Sequence, residues 1–336
     1  RDRSFMRLLM SLCNVGHFNS QFSLAVVDPG GGEPQLVDCS AFVDHARDVG
    51  ITGLRRIPGG LAVAVQSPHP KIVLLDEQLK VVKSIADDRF SDLHSLHLCD
   101  GYLFVLCSGN NKVMKVSLAD HAVSLFWEYH LDEPFLHINS MIFHEGRPLV
   151  SSHKTAPEGP GKGESGGAWY LDDYSVLIPD LKQPHTLVEH DGAVYVLSSH
   201  DSRVLKAKGG QITEVVVPSY LRGLAFTGKQ AVLGSSSRRF ISRKHQGVRR
   251  FTDFSDVVGS SQYMSSLVIA DSDFQNPRRI DTTHLGFEIY DVMKDPGVPQ
   301  SLLADDSAAV RMQTMQRQIV ALRERLQAVK QAAPAR

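Results

Sequence analysis

A three-residue pattern that returns every 37 to 46 residues constrains this chain more than any other feature. It consists of a variable residue, a small one, then Leu or Met: Met10-Ser11-Leu12, Thr52-Gly53-Leu54, His94-Ser95-Leu96, Asn139-Ser140-Met141, His185-Thr186-Leu187 and Arg222-Gly223-Leu224. A period of roughly 40–45 residues with several short strands per unit marks the blades of a propeller. Each unit reads as strand, tight turn, strand, loop, strand and usually a fourth strand. Asp100-Gly101 and Asp191-Gly192 supply the positive φ angles that two-residue hairpins require, and Glu145-Gly146 and Gly59-Gly60 mark equivalent turns. Six triplets predict an all-β fold, a six-bladed β-propeller.

The first unit shows three strands, at 7–12, 22–28 and 35–39, while a further strand-like segment, 286–292, lies far downstream of the sixth. The expected closure places 286–292 as the missing outer strand of the first blade, beside 35–39, so that both termini seal the ring and no edge stays open. The domain organisation is then a propeller over 1–293, a Pro/Gly linker over 294–300 and a C-terminal α-helix over 301–331. Met312, Met315, Ile319, Leu322, Leu326 and Val329 give that helix a short coiled-coil-like seam. It packs on the propeller, self-associates, or connects to a partner enzyme.

Composition removes several function classes. Lys and Arg number 36 against 37 Asp and Glu, so there is no basic excess of the kind that nucleic-acid binding draws on. No apolar run reaches the roughly 18 residues of a membrane span. The four cysteines, Cys13, Cys39, Cys99 and Cys107, form no CxxC pair. Reduced thiols of a cytoplasmic protein are the expectation. The sequence opens at Arg1 and carries no information about a leader.

The innermost strand of each blade starts at one mouth of the channel, so the first residues of the triplets form a ring there: Met10, Thr52, His94, Asn139, His185 and Arg222. Counting back from the turns sets Thr52 opposite Ser67, His94 opposite Cys107, Asn139 opposite Ser152, His185 opposite Ser198 and Arg222 opposite Ser235. Loops at the same mouth add His69, His153, His200 and Arg238. Neutral imidazoles suit a divalent transition metal, which makes His94, His185 and His153 the candidate ligands. Arg222 offers a planar fork to a carboxylate or sulfate. With Thr52, Asn139, His200 and Arg238 it forms the candidate binding set for a small anionic, saccharide-like ligand.

Two functions follow. One is a metal-assisted lyase or hydrolase whose base is a histidine or a loop carboxylate such as Asp201 or Glu164. The other is a non-catalytic glycan- or peptide-binding propeller that works with a transferase through its C-terminal helix. A third possibility is that the ring only lines a water-filled channel. The Gly- and Pro-rich loop 154–167 opens at the same mouth and reads as a lid or a tolerated insertion. The basic run from Arg238 to Arg250 reads as solvated surface. No Gly-x-Ser-x-Gly elbow and no phosphate-cradling loop is present.

In period and hairpin layout the blades resemble NHL-type and gluconolactonase-like propellers. Leu9-Met10-Ser11-Leu12-Cys13-Asn14, Ser95-Leu96-His97-Leu98 with Cys107-Ser108-Gly109-Asn110-Asn111, and Gln183-Pro184-His185-Thr186-Leu187 look more like a bacterial six-bladed β-propeller family of unknown function. That resemblance covers about 8–292, and the frequent association of its members with sugar- and sulfate-transferring enzymes implies glycan biology. The Glu, Asn and Asp that hold the lactonase metal are not matched here, since only Asn139 falls at a comparable position.

Overall fold

The computed structural model describes residues 7–13, 22–30, 34–44, 46–129, 136–155, 165–236, 265–282, 285 and 288–304. Its strands are β1 Leu8–Cys13, β2 Leu24–Val27 and β3 Gln35–Val37, then β4 Gly50–Ile57, β5 Gly60–Gln66, β6 Lys71–Asp76 and β7 Val81–Ala86. The third unit holds β8 Leu93–Cys99, β9 Tyr102–Cys107, β10 Lys112–Ser117 and β11 Val123–Glu128. The fourth holds β12 Ile138–His144, β13 Arg147–Ser152, β14 Gly166–Tyr170 and β15 Val176–Leu181. The fifth holds β16 Pro184–His190, β17 Ala193–Ser198, β18 Arg203–Lys208 and β19 Gln211–Val216. The last holds β20 Tyr220–Thr227, β21 Gln230–Ser236, β22 Ser266–Asp271 and β23 Arg278–Asp281, followed by β24 Glu288–Lys294. All pairings are antiparallel, and the inner strands β4, β8, β12, β16, β20 and β24 contact one another in a closed circle. The chain is a β-propeller of six four-stranded blades.

The hairpins form where the turn residues demand them: Asp100-Gly101, Glu145-Gly146 and Asp191-Gly192 all have positive φ. In the second blade the pair Ile57↔Gly60 places the turn at Pro58-Gly59, one residue earlier than Gly59-Gly60. The second strand of a blade is covered on both faces, and Ala193–Ser198, AVYVLS, is buried throughout. The outermost strands face solvent, and Gln211–Val216 is mostly exposed. The core therefore lies between blades. Ala62 and Ala64 of the second blade, for instance, pack against Leu103 and Val105 of the third.

The ends of the ring depart from the expected closure. The closing strand is the innermost strand of the first blade, not the outer one: β24 pairs with β1, with Leu9↔Met293 and Met10↔Val292 in register. Met10 accordingly sits on a second strand and is fully buried with Leu8, Leu12, Ala25 and Val232. Its triplet is a coincidence of composition. The outer edge at β3 is instead covered by Leu302–Ala304, through Asp38 N–H to the Leu302 carbonyl and Ala304 N–H to the Leu36 carbonyl.

The segment 294–300 is also more than a linker. Asp295 pairs with Arg7 at 2.7 Å, and Val298 is buried in the first core cluster. Of the helix expected over 301–331, the part from 305 onward lies outside the described residues. The described part ends in a 3-10 turn at Gln300–Leu302, and no α-helix occurs among the described residues.

Register also departs from a simple count, by one residue at the same place in four blades. Cys107 pairs with Leu93, Ser152 with Ile138, Ser198 with Pro184 and Ser235 with Leu221, each one residue before the partner that counting gives. In the second blade, where the turn also moves, Gly50 pairs with Gln66 and Ile51 with Val65. A bulge at the triplet absorbs one extra residue on every inner strand, β24 included. Such bulges re-aim side chains at a rim.

Candidate functional site at the channel mouth

The bulges define a repeat longer than the triplet. Two residues upstream of each ring position stand Gly50, Asp92, His137, Gln183, Tyr220 and Glu288, and the sixth ring member is Tyr290, from Tyr290-Asp291-Val292. The mouth thus has an inner tier (Thr52, His94, Asn139, His185, Arg222, Tyr290) and a rim tier above it. A cavity of about 380 Å³ continues down the channel from the inner tier past Leu54, Leu96, Met141, Leu187 and Leu224.

The small second residue of the triplet is set by crowding and by hydrogen bonds between blades. A Cβ on Gly223 would come within 2.9 Å of the Val292 nitrogen, and one on Gly53 within 2.9 Å of the His94 carbonyl oxygen. Where a side chain fits, it clasps the next blade. Ser140 Oγ accepts Leu187 N–H (2.9 Å), Thr186 Oγ1 accepts Gly223 N–H (3.0 Å) and Asp291 Oδ2 accepts Leu54 N–H (3.1 Å).

The serine-rich loops do related work. Ser108, Ser199 and Ser236 donate to the carbonyls of Ile138, Leu221 and Ile289, each the residue just before a ring position. These serines are buried clasps, each worth about 1 kcal/mol, rather than groups offered to a ligand.

Four imidazoles close a circuit at the mouth. Ring centroids lie 4.9 Å apart for His94 and His137, 4.2 Å for His137 and His153, 5.8 Å for His153 and His185, and 6.3 Å for His185 and His94. Nδ1 of His185 stands 2.9 Å from the Gln183 carbonyl and 2.8 Å from Ser199 Oγ, whose own proton goes to Leu221. Both neighbours are acceptors towards that nitrogen, so Nδ1 carries the proton and Nε2 the lone pair. Burial first, then the Arg222 charge and the other three histidines, hold the His185 pKa well below the usual histidine value.

The Nε2 atom of His185 and Oδ1 of Asn139 are buried acceptors without a hydrogen-bond partner among the described residues. Asn139 donates its Nδ2–H to the Pro184 carbonyl at 2.6 Å. Thr52 Oγ1 donates to the Ala64 carbonyl.

Arg222 is buried with its Nη1 3.6 Å from the equally buried Glu288 carboxylate, and its guanidinium lies 4.1 Å from the Tyr290 ring centroid. Tyr220 donates to Gln183 Oε1 at 2.9 Å.

Of the residues nominated from sequence, Thr52, His94, Asn139, His185 and Arg222 share the inner tier, and His153 joins them through its ring contacts. His69 and His200 lie on exposed loop positions. Arg238, Glu164, the middle of the loop 154–167 and the basic run lie outside the described residues. Asp201 Oδ2 accepts two hydrogen bonds from Arg203, at 2.6 and 2.9 Å. His190 stacks on Phe226 at 4.0 Å between centroids.

Sequence reading missed Tyr290, because Tyr290-Asp291-Val292 has neither the small residue nor the Leu or Met, and follows Arg222 by 68 residues rather than about 40. It also missed the rim tier, although stepping each triplet back by two finds it.

Nearer the opposite end, Arg55 Nη2 donates to His97 Nδ1 at 3.4 Å. Burial and then the Arg55 charge lower the His97 pKa to about 4. Burial raises that of Asp291 to about 6, against the pull of the Leu54 and Val292 amides and Arg55.

Comparison with known proteins agrees with this architecture. No protein-family model matches the chain, and no curated protein matches its sequence. Among solved structures it is similar to a chain in the crystal structure of a nidogen/laminin complex, with TM-score 0.56 and 11% identity over 86% of this chain and 97% of that one. It is similar also to a protein of unknown function from Bacteroides caccae, with TM-score 0.57 and 12% identity over 86% and 98%. A streptogramin B lyase reaches only 0.42, at 12% identity over 70% and 84%. The likeness is one of fold.

Proposed function

We propose that the chain is a binding propeller whose channel mouth takes a small hydroxyl-rich ligand of the saccharide class. The observation that carries this reading is the pair of buried acceptors, His185 Nε2 and Asn139 Oδ1, on neighbouring blades of one cavity wall. A buried acceptor without a donor costs about 1–3 kcal/mol, and a ligand hydroxyl or an ordered water removes that cost. Hydroxyl groups supply such donors. The Glu288 carboxylate beside Arg222 offsets the charge that an anionic substituent would seek, so hydroxyl recognition dominates over anion recognition.

A lyase or hydrolase is the less favoured reading. Of the two loop carboxylates that the sequence offers as a base, Asp201 is held by two hydrogen bonds from Arg203, and Glu164 lies outside the described residues. The test is calorimetric titration of the full chain with a panel of neutral hexoses and hexuronates. At least one should bind, and Asn139→Ala should weaken it by roughly tenfold or more. Binding of that sugar unchanged in Asn139→Ala and in His185→Ala, or no binding across the panel, would overturn the reading.

A further inference from the structure

Asp92, His94 and His137 form the group of described residues whose ligand atoms all lie within 4.8 Å of one another. They differ from His94, His153 and His185, the trio that sequence suggested: two of the three come from the rim tier. We propose that these three side chains bind one divalent transition-metal ion at the junction of the third and fourth blades. The site does not depend on hydroxyl binding by His185 and Asn139, which stand outside it.

Geometry and donor chemistry agree. Metal–nitrogen and metal–oxygen bonds of about 2.0–2.2 Å let one ion span donors up to roughly 4 Å apart, so ligand atoms within 4.8 Å of one another close on an ion by small side-chain rotations. Nδ1 of His94 stands 3.1 Å from the Asp92 carbonyl oxygen, an acceptor that keeps the proton on Nδ1 and leaves the lone pair on Nε2 for an ion, while the Asp92 carboxylate lies 4.0 Å from the same ring nitrogen. The His137 ring meets the His94 ring edge-on, with centroids 4.9 Å apart. Two imidazoles and one carboxylate select zinc, iron, cobalt or nickel over calcium or magnesium, which prefer oxygen alone.

The surroundings are also those of a built site. Asp92 and His137 both adopt left-handed backbone, at φ 47° and 53°, a region that Asp and His enter more readily than most residues and that Gln183 shares at the equivalent rim position. Gln66 Nε2 donates to Asp92 Oδ1, while Asn111 Oδ1 accepts the amides of Leu136 and His137 at 3.1 Å each. Outer groups of this kind orient metal ligands. Three protein donors would leave a tetrahedral ion one position for water or an added ligand.

The experiment uses the full chain, stripped with a chelator and titrated with Co²⁺ and Zn²⁺. Metal content is measured after gel filtration, and the visible Co²⁺ bands report coordination. Asp92→Asn and His137→Asn are the informative variants, because Asn tolerates the left-handed backbone that both positions require. The expected result is about one ion per chain in the wild type, and affinity lower by at least about tenfold in each variant. His200→Asn should bind as the wild type does. X-ray absorption on the Zn²⁺ form should show a nitrogen/oxygen shell with two imidazoles, which keeps the test valid if a variant fails to fold. Wild-type affinity in both folded variants, a shell without two imidazoles, or no ion retained by the wild type would each overturn the proposal.

Discussion

His94 and His185 face each other across the channel mouth with ring planes 22° apart and centroids 6.3 Å apart. They occupy the same position in the third and fifth blades, and Asn139 of the fourth stands between them in the tier. Curvature of the inner ring brings side chains 91 residues apart in sequence into one wall.

The two hydrogen-bond acceptors around Nδ1 of His185, together with its burial, make this ring neutral where an ordinary histidine titrates. The sign is that of desolvation: the charged form is disfavoured, so the proton leaves at lower pH than usual. As pH falls from 7 through about 6.5, where an unperturbed histidine takes up its proton, His185 keeps its lone pair on Nε2. A ¹³C and ¹⁵N titration of the imidazoles, assigned with His185→Gln, should show it in the Nδ1–H form throughout that range. Titration near 6.5 would contradict the assignment.

Ser199 holds two roles at once, as donor to Leu221 across the blade junction and as acceptor for His185. Ser199→Ala should therefore lower stability by about 1–3 kcal/mol, because it leaves a buried carbonyl unpaired. It should also weaken sugar binding. Denaturant unfolding and calorimetry on the same variant check both. Loss of stability with binding intact would mean that Ser199 does not position the ring.

Asp291 and His97 act on stability in opposite directions over nearly the same pH range. Between about 4 and 6 the native state keeps a proton on Asp291 that the unfolded chain releases, so its contribution falls as pH rises. Between about 4 and 6.5 the unfolded chain binds a proton that native His97 refuses, so that contribution grows as pH rises. Asp291→Asn should steepen the rise of stability with pH in this window, and His97→Gln should flatten it. Unfolding free energies measured at half-unit intervals decide the matter, and parallel curves for all three proteins would contradict it.

Closure of the ring by β24 predicts a sharp boundary for truncation. A chain ending at 304 retains β24, the Arg7–Asp295 pair and the cover on β3, and should unfold cooperatively. A chain ending at 287 lacks an entire inner strand, with Ile289 and Val292 drawn from the core that holds Leu8, Met10 and Leu12. It should lose the cooperative transition. Equal melting of the two would mean that the blade seals without β24.

The hairpin turns and five of the six inner-tier positions were legible in the sequence, because a repeated triplet and Asp-Gly or Glu-Gly turns are local signals, whereas the count of six blades came out right with Met10-Ser11-Leu12 standing in for Tyr290-Asp291-Val292. Three features were not. The partner of β24 depends on which of two termini supplies the inner strand, and Met10-Ser11-Leu12 imitates the triplet on a strand whose Met10 is buried on all sides. The one-residue slip at Leu93, Ile138, Pro184 and Leu221 arises from bulges, which leave no mark in a count of residues between turns. The clasp role of Ser108, Ser199 and Ser236 leaves no sequence signal either, because polarity alone does not tell a donor to the next blade from one turned towards the channel.

Whether the channel mouth is where this propeller binds its ligand is decided by a crystal structure of the full chain with the tightest sugar of the panel. Sugar density is expected in the channel, with hydroxyl oxygens about 2.6–3.2 Å from His185 Nε2 and Asn139 Oδ1. Ordered water alone at those two atoms, with the sugar on another surface of the propeller, would contradict it.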